Sequence, residues 1–474
     1  MMPRSLSTSL LAGLIALGLA MAPPTAAQQP APDRPTNVIL FIPDGFGPAS
    51  GTMARDFLRY RDGVTSLAFD SVLVGSVRTF ASNSRITDSA AGATAYAAGI
   101  KTYNGAIAVD TARTPVATLL EAAERRGMAT GLVATSRITH ATPASFSAHV
   151  VDRGMENEIA AQQISKDIEV IFGGGRRHFL PAADGGRRDD GRDLTAEAQQ
   201  NGYQYVTNGS DLSAITEAPV LGLFSASHMS YEIDRDPAVQ PSLAEMTAKA
   251  LDLVDDDEDG YFLMVEASRI DHAGHSNDAA AHLHDILAYN EAVAVALEKA
   301  RADGNTLFVS VSDHETGGMS LGIDGVYAWD PAALGRVQAS HRVILNEALS
   351  SVMVEGDPIP TIRPNMIQAQ TGIEPSSETI AQLRSNVDDP GALETILSGM
   401  ISRTTRVGWT TTGHTAIDVN LYAYGPGASR FTGNHDNTFV GETLADLLGF
   451  DLTTLTTDLM QRMDTGTVST GDNR

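Results

Sequence analysis

The chain has 474 residues, no cysteine and a formal net charge of −25. The length allows one large α/β domain with insertions, or two domains, and the missing cysteines exclude a disulfide scaffold. So acidic a surface argues against binding nucleic acid or an anionic membrane, and it requires any phosphate site to supply its own local positive charge.

In chain order, residues 1–27 read as a secretory signal, with Arg4 before an apolar run from Leu10 to Ala22 and a small-residue cleavage site at Thr25-Ala26-Ala27. The run is too short to span a bilayer comfortably, so no stable membrane anchor is expected and the mature protein belongs in the periplasm or outside the cell. A polar leader follows at 28–36, then the main domain at 37–450 and a C-terminal tail at 451–474. Strands are predicted at Asn37–Pro43, Val72–Phe80, Ala129–Thr135, Val220–Phe224, Tyr261–Val265, Leu307–Val311 and Asn420–Tyr424. Helices are predicted at Pro115–Arg126, Ser242–Val254 and Ala280–Ala302. This alternation predicts an α/β fold with a mainly parallel sheet and helices on both faces. Residues 318–412 differ in texture, with several prolines, few strong strands and helix-like pieces at Ser376–Leu383 and Pro390–Arg403. They are expected to form an insertion or accessory subdomain that returns to the sheet near His414.

Thr87-Asp88-Ser89-Ala90-Ala91-Gly92 sets a lone serine at the head of a small-residue run. Asp88 suits a helix N-cap, which puts Ser89 in the first turn, where its Oγ and the free backbone N–H groups face an incoming anion. Three apolar strands end in acids: Asp44, Glu266, and Asp313 with its neighbour His314. Open α/β sheets place their sites beyond the carboxyl ends of strands, and a carboxylate buried alone there is costly. Three of them point to a shared cation site. Asp271 and His275 are four apart, as two ligands from one helical turn would be, and His414 adds an imidazole. Imidazole with carboxylate suits zinc, and carboxylate with hydroxyl suits magnesium.

Other signals are set aside. Asp255 to Gly260 with Glu266 fits an EF-hand pattern, but an apolar strand follows where a helix is required. Gly173-Gly174-Gly175 reads as a turn after a strand at Glu169–Phe172, since it lacks the Gly-Lys-Ser/Thr ending of a phosphate loop. His282 and His284 lie on a polar stretch and are expected to be exposed. His149, His178, His228, His341 and His435 show no ligand pattern, and Trp409 is read either as lining the pocket mouth or as ordinary packing.

Taken together, Ile42-Pro43-Asp44-Gly45-Phe46-Gly47, Thr87 to Ala91 with Lys101 to Gly105, His140-Ala141-Thr142-Pro143 with Asp152-Arg153, Glu266 through His275, Asp313-His314 and Gly413-His414-Thr415 closely resemble the bacterial and animal alkaline phosphatases, in the family's order from 37 to about 450. The resemblance implies a three-layer α/β/α sandwich with an inserted, crown-like region and a homodimer. It implies two zinc ions, one on Asp271, His275 and His414 and one on Asp44, Asp313 and His314. A magnesium ion on Asp44, Thr142 and Glu266 would complete the set. Ser89 would carry a covalent phosphoserine intermediate, and Arg153 and His272 would bind the phosphate of a small-molecule monoester. His140 stands where one family branch has aspartate, and His272 where it has lysine, so His140 is expected to reach magnesium through water. The alternative is a phosphodiesterase or nucleotide pyrophosphatase of the same superfamily. A sulfatase would need a formylglycine precursor, and cysteine is absent. A non-catalytic metal- or phosphate-binding protein would not need so complete a set.

Overall fold

Strand β1 (Asn37–Ile42) shows how the sheet is built. Val38, Leu40 and Ile42 enter one hydrophobic cluster while Ile39 and Phe41 enter another, and all five are fully buried. Alternate side chains leave opposite faces of a strand. A run that is apolar at every position is therefore covered on both sides, as in a parallel sheet flanked by helices. The computed structural model describes residues 34–354 and 357–464. The signal sequence, most of the polar leader and the end of the tail lie outside them.

The other strands of the large sheet are β2 (Leu73–Arg78), β3 (Ala129–Arg137), β4 (Val170–Gly174), β5 (Gln204–Val206), β6 (Val220–Leu223), β7 (Tyr261–Glu266), β8 (Thr306–Val311), β9 (Val419–Tyr424) and β10 (Gly433–Asp436). Their order is β10-β2-β9-β8-β1-β7-β3-β4-β6-β5. Only β9 runs against its neighbours; the remaining pairings are parallel. The short edge strands β5 and β10 escaped the sequence reading. On one face lie helices Leu243–Val254 and Ala279–Asp303; on the other lie Ser89–Ala98, Leu119–Arg125 and Thr438–Leu448. The helix expected from Pro115 begins at Leu119, because Thr118 and Glu121 form a reciprocal capping box that fixes the start.

Four central strands, β8, β1, β7 and β3, are adjacent, and their registers align their carboxyl ends: Glu266 pairs with both Ile42 and Ala134, and Phe41 with Ser310. That is where Asp44, Glu266, Asp313 and His140 leave the sheet. The described residues of 317–413 contribute no strand to the large sheet. They carry a two-residue pairing of Ser320–Leu321 with Val407–Gly408, a hairpin of Leu349–Val354 with Asp357–Ile362, and helices including Pro390–Thr405. Glu315–Thr316 pairs antiparallel with His414–Thr415 at the base of this excursion. That pairing returns His414 beside His314.

Candidate active site

Helix α1 (Ser89–Ala98) is buried along its whole length and starts at Asp88, whose side chain accepts from Ala91 N–H at 3.0 Å. The cap's other oxygen accepts from Gly105 N–H at 2.9 Å and from Arg153 Nη1 at 3.0 Å. One carboxylate thus starts the serine's helix and fixes the arginine. The small residues of α1 allow its depth: a Cβ on Gly92 would sit 3.0 Å from Asp313 Cβ. Gly45 is tighter still, at φ +77° with an added Cβ 2.7 Å from Asp271 Cα. Only glycine serves there, and it lets the Asp44 loop touch helix α2 (Arg269–His275).

Ser89 is 2% exposed, with Oγ 3.3 Å from His314 Nε2. His314 Nε2 lies 3.2 Å from Asp313 Oδ2 and 3.6 Å from Asp44 Oδ1. Asp44, Asp313 and His314 therefore form one group whose ligand atoms converge within 4.8 Å. Asp271, His275 and His414 form a second. In it, His275 Nδ1 faces Thr412 O at 2.6 Å and His414 Nδ1 faces Thr87 O at 2.9 Å. Each imidazole donates to a backbone carbonyl from Nδ1, which leaves the Nε2 lone pair free for a cation. The two Nε2 atoms are 3.1 Å apart. The rings of His314 and His414 stack at 3.5 Å, joining the groups. Asp44, His140 and Glu266 make a third group.

The electrostatics of this centre are one-sided. Asp44, Glu266, Asp271 and Asp313 are all at most 4% exposed. Burial, then the charges of Asp271 and Glu266, push the Asp313 carboxyl up to about 8. Burial pushes Glu266 up to about 7, against the bonds it accepts from Ser268 and Ser136. Burial raises Asp44 well above the ordinary carboxylate range, reinforced by Asp313, Asp271 and Glu266. Both oxygens of Asp44, Asp313 Oδ2, Glu266 Oε1 and Thr142 Oγ1 are buried without a hydrogen-bond partner. Buried polar atoms are normally satisfied, and oxygens left bare at converging positions fit hard or borderline cations.

Next to these oxygens stands a wall of nitrogen. Arg153 Nη2 donates to His140 Nε2 at 3.1 Å, so the guanidinium is held between Asp88 and His140. The His272 ring centre lies 5.5 Å from that of His140. His228, which the sequence reading left unassigned, packs 4.3 Å from His272 and 5.3 Å from His140, and the three form a fourth convergent group. Nothing around Ser227-His228-Met229 marks it. The ring arrives because Met229 N–H donates to Thr135 O at 3.1 Å, closing the loop after β6 onto β3.

The expectation for His282 was wrong. It is fully buried, with Nε2 2.9 Å from Ser50 Oγ and Nδ1 2.9 Å from Ile270 O. The polar stretch lies on the first turns of helix Ala279–Asp303, and His282 falls on the face that supports α2. Trp409 packs edge-on against it at 5.6 Å.

Comparison with known proteins agrees. A family model described as alkaline phosphatase matches residues 35–450. The repressible alkaline phosphatase of Saccharomyces cerevisiae is 38% identical over 95% of this chain and 88% of its own length. The crystal structure of a cold-active alkaline phosphatase from the psychrophile Shewanella sp. is 36% identical and superposes with a TM-score of 0.78 over 87% of this chain and 99% of that one. The alkaline phosphatase of Thermus thermophilus is 31% identical with a TM-score of 0.79, over 93% and 96% of the two chains. The chain belongs to the alkaline phosphatase family, enzymes that hydrolyse phosphate monoesters.

Proposed function

We propose that this alkaline phosphatase transfers the phosphoryl group of a monoester to Ser89 and then to water. The observation that carries the reading is the position of Ser89 Oγ, 3.3 Å from His314 Nε2, at the head of a buried helix and beside two convergent ligand groups. Asp271, His275 and His414 would hold one zinc, Asp44, Asp313 and His314 the other, and Asp44, Thr142 and Glu266 a magnesium; the unpartnered oxygens supply the donors these ions need. When bound, the ions supply Lewis acidity, lowering the pKa of the serine hydroxyl and neutralising charge on the leaving oxygen.

The chain's own residues do the rest. The Asp88 and His140 contacts fix the planar fork of Arg153, which can then clamp two phosphate oxygens. Free N–H groups in the first turn of α1 face the same anion. Attack forms the Ser89 Oγ–P bond as the ester P–O bond breaks, and the alcohol leaves with a proton. Water then cleaves the phosphoseryl bond, releasing inorganic phosphate and restoring the hydroxyl. His272 adds to the nitrogen wall on the phosphate side, and His140 would reach a bound magnesium through water. Arg4, the apolar run to Ala22 and the Ala27 site support export to the periplasm or beyond. No helix among the described residues is long and apolar enough to cross a membrane.

The test is nitrophenyl phosphate hydrolysis at alkaline pH before and after chelation, then with zinc and magnesium restored. Loss on chelation with full recovery only on adding both metals is expected. A preference for bis-nitrophenyl phosphate would overturn the monoesterase reading.

A further inference from the structure

Helix α2 presents two stripes. Asp271 and His275 face the ligand groups, while Arg269, His272 and Ser276, at i, i+3 and i+7, line a neighbouring cavity of about 310 Å³. That volume is at the lower end of small-molecule sites, which run from about 300 Å³ upward. His272 and His275 also line this cavity, so it abuts the reaction centre.

Its defining feature is a buried cation that no carboxylate pairs directly. Arg269 is 5% exposed, its guanidinium lies 3.8 Å over the Tyr231 ring, and its Nε has no hydrogen-bond partner. Among the described residues it forms no ion pair; the buried Asp285 and Asp278 act on the same pocket only from farther away. Cation–π attraction offsets part of the desolvation cost, but an unpaired buried charge remains expensive. Two more buried groups point the same way. His341 is 1% exposed with neither ring nitrogen bonded; its nearest carboxylate oxygen, on Asp278, is 3.6 Å away, too far for a hydrogen bond. His272 Nδ1 is likewise unpartnered. Asp278 is already committed, accepting from Ala281 N–H at 3.1 Å and His341 N–H at 2.6 Å. Glu394, half-buried, and the exposed Arg342 share its rim.

We infer that this cavity binds a small oxyanion, a phosphate or carboxylate group, beside the reaction centre. Arg269 would supply the buried charge, His341 and His272 imidazole donors, and Arg342 the entrance. The oxyanion is either a second acidic group on the substrate's alcohol, which rests on the phosphatase reading above, or free phosphate.

The experiment is calorimetric titration of inorganic phosphate into the metal-loaded full chain. Two binding events are expected. Arg153→Ala should weaken one roughly 10- to 100-fold, and Arg342→Met and Arg269→Met should each weaken the other at least about tenfold. A single event, or a second one that survives both substitutions, overturns the site. If Arg269→Met does not fold, the exposed Arg342 carries the test alone. The KM ratio of ethyl phosphate to phosphoglycolate separates the sources. A ratio that falls about tenfold in Arg342→Met assigns the site to a substrate carboxylate. An unchanged ratio with a weakened second event assigns it to free phosphate. Failure of the unaltered enzyme to turn over nitrophenyl phosphate would sink the phosphatase reading and leave the titration standing.

Discussion

Two walls adjoin in this protein, and both carry unsatisfied buried atoms. In one the bare atoms are oxygens, from Asp44, Asp313, Glu266 and Thr142; in the other they are nitrogens, from His140 and His272 and, in the neighbouring cavity, from Arg269 and His341. Folding alone satisfies neither wall, and a buried polar atom left unpaired costs about 1–3 kcal/mol. The oxygens await cations and the nitrogens await anions. A phosphate ester with its metals is a ligand that completes both. The difference also explains how a chain of charge −25 binds a dianion: the acid is neutralised locally, and Arg153 spans the boundary by joining Asp88 to His140.

Removing the attacking hydroxyl should have the largest effect. Ser89→Ala leaves both sets of bare atoms in place, so metal content and fold should hold while kcat falls on the order of 10³-fold or more. Wild-type turnover in that variant, with metals measured in parallel, would dismiss Ser89 as the nucleophile.

Satisfied histidines sharpen the contrast. His282 has both nitrogens bonded, yet burial depresses it to about 4; His178 is also held near 4, chiefly by burial, against the pull of Glu156. Both are neutral in the folded protein while an unfolded histidine titrates near its ordinary 6.5. Between those values the unfolded chain binds more protons, so stability is present above about pH 6.5 and is lost as pH falls toward 4. Each group should account for about 3 kcal/mol of that loss. Urea unfolding at pH 7 and pH 4.5 measures it, and His282→Gln should lessen the drop. An equal drop in wild type and variant would refute the assignment.

Arg153→Ala cuts the link between the walls. Losing charge-assisted hydrogen bonds of about 1.5–3 kcal/mol should weaken inhibition by inorganic phosphate roughly 10- to 100-fold, with a smaller loss of kcat. Unchanged phosphate inhibition would remove Arg153 from the binding site.

The oxygen wall was legible in sequence, and so, through the family resemblance, were Arg153, His140 and His272 of the nitrogen wall; His228, Arg269 and His341 were not. Asp44, Glu266 and Asp313 each end an apolar strand, and parallel pairing puts such ends side by side, so local pattern and topology agree. Asp271 and His275 are one helical turn apart. By contrast, His228 reaches His140 through a loop closing on β3, and His341 comes from the 317–413 excursion to meet Asp278. Those contacts join residues 88 and 63 positions apart, with no periodicity to announce them. His282 was misread because a polar neighbourhood says little about which face of a helix is buried.

The smallest effect should come where acidity is greatest in sequence. Asp255 to Asp259 fits a calcium-loop pattern, yet these carboxylates are exposed, ending helix Leu243–Val254 before β7. Asp257 accepts from Asp259 N–H at 2.9 Å, as in any surface turn. Asp255 pairs with Lys299 at 2.5 Å and the others are exposed to water, so no orphaned atom calls for an ion. Asp257→Asn should therefore alter stability by no more than about 0.5 kcal/mol, and calcium should not raise the melting temperature through this run. A calcium-dependent rise lost in Asp257→Asn would break the contrast. Burial without a partner, more than the density of charge, is what marks a site in this protein.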